Sequence, residues 1–208
     1  MILGITGGTG CGKTTLLNCI AQLGGVILDC DAIYHELLRT DPALLGAIEK
    51  RFPGTVENGA LQRKKLGNLV FSDEKALNDL NQITHGAVKA EVVRRLAEKP
   101  KLAAIDAIAL FEGGLAELCD VTVAVTAPEE VRIQRLMARD GIDRDYAKRR
   151  IDAQKNADWF RQNCDYCLEN NGTQAQFRTD CLAFLRKLAI IEKTDTDVQL
   201  KADLDFRA

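Results

Sequence analysis

The amino-acid sequence predicts an α/β fold: a parallel five-stranded sheet flanked by helices, interrupted by one long helical insertion and one short charged excursion. Three observations carry that prediction. The chain opens on an apolar strand, Met1 to Ile5, that runs straight into Gly7-Gly8-Thr9-Gly10-Cys11-Gly12-Lys13-Thr14, a match to the phosphate-binding pattern G-x-x-x-x-G-K-S/T. Apolar runs of β type recur at Val26 to Leu28, Leu102 to Ile105, Val121 to Val125 and roughly Tyr166 to Leu168, each separated by helical stretches. Such alternation builds a parallel sheet with helices on both faces and places ligands at the carboxyl ends of the strands. Finally, residues 32–100 exceed what two βα units need and mark a separate helical subdomain within an otherwise single domain of residues 1–190.

The glycine-rich loop is the most informative element. Gly7 and Gly12 give backbone freedom and close approach, so that successive N–H groups curl around phosphate oxygens at a helix N-terminus. Lys13 brings a positive charge to the β/γ-phosphates, and the Thr14 hydroxyl is suited to Mg²⁺. Leu16, Leu17, Ile20 and Leu23 then follow at helical spacing until Gly24-Gly25 stops the helix, which supplies the strand–loop–helix context that the motif requires.

After the second strand, Asp29-Cys30-Asp31 places two carboxylates two residues apart. On a strand end they would point the same way, toward the phosphate site, where one could take a proton from an acceptor hydroxyl; the alternative is that Asp31 caps the next helix, through Ile33, Leu37 and Leu38. The insertion is broken by Pro53-Gly54 and by an Asn58-Gly59 turn and carries the basic stretch Arg63-Lys64-Lys65, read either as an acceptor contact or as a solvated face. From Ser72, taken as an N-cap, Leu77, Leu80, Val88, Val92 and Leu96 predict a long packing helix on which His85 reads as a structural histidine. Asp106 closes the third strand, the placement expected of a carboxylate that holds Mg²⁺ directly or through water.

The fourth strand ends at Thr126-Ala-Pro-Glu129, a capping-box pattern with an early proline. On the helix that follows, Arg132, Arg135 and Arg139 share one stripe, suggesting a phosphate clamp. A break at Asp140-Gly141 leads to a polar helix capped by Asp143 and bearing Arg144, Lys148, Arg149 and Arg150, so residues 139–158 read as a lid that closes over the phosphates, the alternative being an ordinary solvated hairpin.

A net charge of −2 argues against a polyanion-binding surface, so nucleic acid is not an expected partner. No apolar run approaches membrane-spanning length, and a functional strand beginning at Met1 leaves no room for a leader, so the expectation is a cytoplasmic protein with no membrane role. Seven cysteines, an odd number scattered through strands and helices, fit buried thiols in a reducing compartment. Cys164-Asp-Tyr-Cys167 has redox or zinc spacing but lacks a second ligand pair, and the glycosylation-type triplet Asn171-Gly172-Thr173 is idle in the cytosol.

Taken in order, these pieces resemble the dephospho-CoA kinase family, in the nucleoside-monophosphate-kinase-like branch of P-loop proteins. The resemblance runs from Met1 to about Leu188 through Gly4 to Thr15, the Asp29-Cys30-Asp31 pair, Gly59-Ala60-Leu61-Gln62-Arg63 with Leu66 and Val70-Phe71, Leu80-Asn81 with His85, Asp106 with Leu110-Phe111-Glu112, Arg135, Arg139-Asp140, Gln154 and Asn170-Asn171-Gly172. It implies ATP- and Mg²⁺-dependent phosphorylation of the ribose 3′-hydroxyl of dephospho-CoA, the last step of coenzyme A synthesis. It also implies roles. Asp31 is the base; Lys13, Mg²⁺ bound by Thr14 and Asp106, and Arg139 stabilise the transferring phosphoryl group. Gly8, Thr9, Gly10, Cys11, Gly12, Lys13, Thr14 and Thr15 bind ATP, with Asn170, Asn171 and Gly172 near its adenine. Asp31, His35, Arg63 and His85 bind the acceptor.

The chain departs from the family pattern at His35, where an arginine is usual four residues after the base, and at Gly86 and Ile108, where prolines are usual. Imidazole is only partly protonated near neutral pH, so His35 is expected to bind acceptor phosphate less firmly than arginine does. Two other readings remain at the level of sequence: another small-molecule P-loop kinase, such as a nucleoside or nucleotide kinase, and a regulatory P-loop ATPase, against which the absence of a guanine-reading N-K-x-D counts. The charged tail, residues 191–208, has no role legible in its composition.

Overall fold

The computed structural model describes residues 1–188; the charged tail lies outside the described residues. Five strands, β1 (Ile2–Thr6), β2 (Val26–Asp29), β5 (Ala103–Asp106), β6 (Val121–Thr126) and β7 (Tyr166–Glu169), form one sheet in the order β2-β5-β1-β6-β7. All five fall where the apolar runs predict them. Two short strands, β3 (Val56–Glu57) and β4 (Ala60–Leu61), pair separately and antiparallel.

The chain divides into two compact units. The first comprises residues 1–6 and 25–122. Its parallel ladder sets Ile2 opposite Ala103 and Ile5 opposite Asp106, with Val26 opposite Ala103 and Asp29 opposite Asp106 on the other edge of β5. The insertion folds as α2 (Cys30–Thr40), α3 (Pro42–Arg51), α4 (Arg63–Val70) and α5 (Glu74–Leu96) around the β3–β4 hairpin. Asn58 and Gly59 both take positive φ, 50° and 74°, the conformation a two-residue hairpin turn demands and these two residue types supply. Leu28, Ile33, Ile48, Val92, Ile105 and Leu110 form its dry core, and each such fully buried aliphatic contributes about 1.5–3 kcal/mol. Val88 and Val92 of α5 are buried there, with Leu77, Leu80 and Leu96 packed alongside, as the periodicity predicts. The helix begins one residue later than expected. Asp73, not Ser72, is the N-cap, its carboxylate accepting from the Lys75 and Ala76 amides, because a charged acceptor satisfies two orphan donors at once.

Among the described residues, the second unit comprises residues 7–24 and 123–188. It contains α1 (Lys13–Gln22), α6 (Glu129–Asp140), α7 (Arg144–Asp152), α8 (Ala157–Asn163) and α9 (Gln174–Lys187), with β7 parallel to β6 from Val123 opposite Tyr166 to Thr126 opposite Glu169. The capping box proposed at Thr126 does not form. Thr126 is the last, buried residue of β6 with its hydroxyl against Cys167 Sγ at 3.4 Å, and Pro128 sits at the N-cap of α6 with no side-chain cap. The later signals hold: Gly141 ends α6 at φ 65°, and the Asp143 carboxylate accepts from the Tyr146 amide to start α7. Ala147 and Ile151 of that polar helix pack on Ile133 and Leu136 of α6.

Candidate active site

The loop between β1 and α1 has the shape of an anion cradle. Gly7 (φ 133°) and Gly12 (φ 98°) hold conformations that side chains rarely adopt, and space forbids a side chain at either: a Cβ on Gly7 would stand 2.2 Å from the Val125 carbonyl oxygen, and one on Gly12 2.2 Å from Asn170 Nδ2. Gly12 is also the N-cap of α1 and offers no side-chain acceptor, nor is there an acidic residue in the first turn. The orphan N–H groups and the positive end of that helix therefore have no carboxylate of their own, the arrangement an incoming phosphate completes. Lys13 folds back across the loop, its Nζ 3.2 Å from the Gly7 carbonyl oxygen. Thr14 is exposed and Thr15 half-buried at the head of the helix, while Gly8, Thr9 and Cys11 are buried. Burial, opposed by the charges of Arg132 and Lys13, raises the Cys11 thiol above its ordinary pKa and keeps it protonated.

The arginine stripe of α6 does not form a single phosphate clamp. Arg132 is buried and donates from Nε to the Thr9 carbonyl at 2.9 Å and from Nη2 to Gln154 Oε1 at 3.2 Å. Arg135 donates from Nη1 to the carbonyls of Gly10 and Cys11 at 3.3 and 3.4 Å and from Nη2 to Asn170 Oδ1 at 3.1 Å. Arg139 is exposed and forms a bidentate pair with Asp140, whose second partner is Arg150; these two guanidiniums hold the Asp140 carboxyl down at about 2. Helical spacing predicts the shared face correctly, but the first two cations meet backbone carbonyls. Asn170 is buried, and its Nδ2 donates to the Cys11 carbonyl at 2.9 Å, whereas Asn171 and Gly172 are exposed.

In the first unit the acceptor-side residues fall in two groups. Asp29 is the last residue of β2 and the N-cap of α2, its carboxylate accepting from the Ala32 amide at 2.9 Å. Asp31 therefore lies in the first turn of α2 and is neither on a strand nor a cap; the strand-end geometry and the capping alternative are both corrected, because the helix begins at Cys30. Asp31 and His85 line one cavity of about 280 Å³ together with Tyr34, Leu80, Asn81, Thr84, Val88 and Ile108. His85 is half-buried on that wall. His35 and Arg63 meet each other, Arg63 Nη2 to His35 Nδ1 at 3.3 Å, and Arg63 lines a second cavity of about 340 Å³ with Arg39 and the β4 hairpin edge.

Asp106 ends β5 in register with Asp29 on the neighbouring strand. The charge gathered there is visible at Cys30, whose thiol is pushed up to about 12 by burial and then by the carboxylates of Asp106, Asp31 and Asp29. Sequence reasoning missed one participant, Tyr34, and the roles of two that it named, Arg132 and Gln154. Tyr34 lies one turn after Asp31 and shares its cavity wall, a placement that i, i+3 spacing could have given; its hydroxyl is raised by burial, with Arg63 opposing. The bracing roles of Arg132 and Gln154 had no local signal.

A glycine cradle at the head of an uncapped helix, on a parallel sheet with a carboxylate-lined cavity in the inserted helices, defines a P-loop phosphotransferase. Comparison with known proteins narrows it. The family model for dephospho-CoA kinase matches residues 1–176, and the chain belongs to that family. A dephospho-CoA kinase of Syntrophotalea carbinolica is 37% identical over 195 residues, spanning 90% of this chain and 92% of that protein. One of Geobacillus kaustophilus is 32% identical over 202 residues, spanning 93% and 99%. Among solved structures, a Thermus thermophilus protein matches with a TM-score of 0.76 at 32% identity over 90% of this chain and 97% of that one. The dephospho-CoA kinase of Campylobacter jejuni matches at 0.64 and 25% identity over 90% and 96%. Shikimate kinase from Bacteroides thetaiotaomicron, at 0.56 and 15% identity over 91% and 98%, shares the fold alone.

Proposed function

We propose that the protein transfers the γ-phosphoryl group of ATP to the ribose 3′-hydroxyl of dephospho-CoA, giving coenzyme A. The observation that carries this reading is the cavity that holds Asp31 and His85 among apolar walls from Tyr34, Leu80 and Val88, a chamber suited to a nucleotide with a long, uncharged arm. Asp31, exposed at the head of α2, takes the proton of the acceptor hydroxyl. His35 and Arg63 bind acceptor phosphate, the imidazole Nδ1 being released from the guanidinium as that phosphate arrives. His85 orients the acceptor from the α5 side. The loop from Gly8 to Thr15 holds the ATP phosphates through the backbone amides that the protein does not already engage, and Lys13 and Arg139 compensate charge on the transferring group, Arg139 after exchanging Asp140 for phosphate. Asn170 to Gly172 lie near the nucleotide base.

The hydroxyl of Thr14 and the carboxylate of Asp106 are hard oxygen donors of the kind Mg²⁺ selects, and the negative charge gathered around Cys30 fits a cation beside Asp106. When bound, Mg²⁺ neutralises charge on the β- and γ-phosphate oxygens. We place the enzyme in the cytoplasm, acting on a small molecule without nucleic acid or membrane; no described helix is long and apolar enough to cross a membrane. Residues 32–100 serve as the acceptor-binding region and 139–158 as the lid. Incubation with ATP, Mg²⁺ and a panel of dephospho-CoA, AMP, adenosine and shikimate, with products identified by mass spectrometry, tests the reading. Dephospho-CoA is expected to be the best acceptor; AMP or a nucleoside as the best, with no coenzyme A formed, would overturn it.

A further inference from the structure

We propose that Arg132 and Gln154 are positioning residues that hold the two peptides flanking Thr9 in the orientation the phosphate cradle needs before nucleotide arrives. The inference rests on the P-loop reading of the site and extends it.

A cradle of backbone N–H groups binds phosphate only if the carbonyls of the same peptides turn outward. A peptide that flips replaces a donor with a partial negative charge facing the anion. Free glycine-rich loops have no intrinsic preference against such flips. In this chain three consecutive carbonyls, those of Thr9, Gly10 and Cys11, are each held by side-chain donors. Thr9 is the one of the three held by side chains at both its backbone groups: its carbonyl accepts from Arg132 Nε at 2.9 Å, and its N–H donates to Gln154 Oε1 at 2.8 Å. Arg132 Nη2 donates to the same Oε1 at 3.2 Å and closes a ring of three residues.

The charge on Arg132 makes this arrangement informative. Its residue is 7% exposed, and it donates to a carbonyl and a carboxamide, with no ion pair among the described residues. Burying a guanidinium without a carboxylate is costly, and a hydrogen bond from a charged donor recovers more than a neutral one. Replacing Gln154 by a carboxylate would neutralise Arg132 but also place negative charge beside the phosphates; the carboxamide accepts both donors and stays neutral. Gln154 lies two residues past the end of α7, so its bond to the Thr9 N–H also ties the loop to the C-terminal end of the lid helix.

The test compares Arg132→Met, Gln154→Leu and Gln154→Asn with the parent, by calorimetric titration of MgADP and, separately, of dephospho-CoA, together with steady-state kinetics. We expect the Kd for MgADP to rise about tenfold in the first two variants, as loss of one to two hydrogen bonds predicts. Kd for dephospho-CoA should be unchanged, and KM for ATP should rise more than kcat falls. The double variant should be little worse than either single one, because the two side chains hold adjacent peptides and are bonded to each other, so losing either loosens the other. Gln154→Asn, which keeps the amide but is one methylene too short, should fall in the same class and serves if the apolar variants do not fold. Parent-like MgADP affinity in all the folded variants, or equal losses for MgADP and dephospho-CoA, would overturn the proposal. MgADP titration does not depend on the acceptor's identity, so failure of the dephospho-CoA assignment would show separately, as absence of acceptor binding in the parent.

Discussion

Replacing Asn170 by alanine tests what that residue does. It is 4% exposed, donates to the Cys11 carbonyl at 2.9 Å and accepts from Arg135 Nη2 at 3.1 Å. The first is a neutral hydrogen bond of about 1 kcal/mol and the second a charge-assisted one of about 1.5–3 kcal/mol, so the variant should lose about 2–4 kcal/mol of stability. At about 2–4 °C per kcal/mol for a chain of this size, the melting temperature should fall by about 4–16 °C. On the proposed function the loosened loop faces only phosphates, which ATP and GTP share. Calorimetric titration should therefore show both nucleotides weakened by the same factor, alongside the lowered Tm in thermal unfolding. An unchanged Tm with a collapsed preference for ATP over GTP would refute the reasoning and make Asn170 a base contact.

Lys13→Ala should nearly abolish turnover while leaving the circular dichroism spectrum unchanged, since the ammonium compensates charge that grows in the transition state; near-parental kcat would sink the role. Asp31→Asn should lower kcat by about 10²-fold or more with ATP affinity little changed, as for a lost general base, and a loss confined to KM would remove that assignment. Glu91 carries a pH dependence: hydrogen bonds from Arg94 and Arg95 hold its carboxyl at about 2, below its ordinary 4.5. A depressed folded-state pKa stabilises fully above the unfolded value and is lost as pH falls through about 2. The Tm gap between parent and Glu91→Gln, measured by scanning calorimetry, should therefore be present at neutral pH and close between the two values; a gap that widens on acidification contradicts the sign.

The sequence by itself determined the strand, glycine loop and helix from Ile2 to Gln22, the Asn58-Gly59 turn, the buried stripe of α5 and the cap at Asp143. Each is a local matter in which the residues that specify the conformation lie within a few positions of one another. Near the caps, local patterns competed, and small energy differences chose Asp73 over Ser72 and Asp29 over Asp31. Helical spacing also put Arg132, Arg135 and Arg139 on one side of α6. What that side meets was decided only in three dimensions. Arg132 finds a carbonyl 123 residues away at Thr9, and Asn170 one 159 residues away at Cys11. A period of 3.6 residues says which side chains share a face, but their partners depend on how distant elements pack, and a guanidinium serves a phosphate or a carbonyl equally well. The pairing of Asp29 with Asp106 across β2 and β5, and the gathering of Asp31, Tyr34 and His85 on one cavity wall, are tertiary for the same reason: sheet register and helix docking join residues that no sequence window contains.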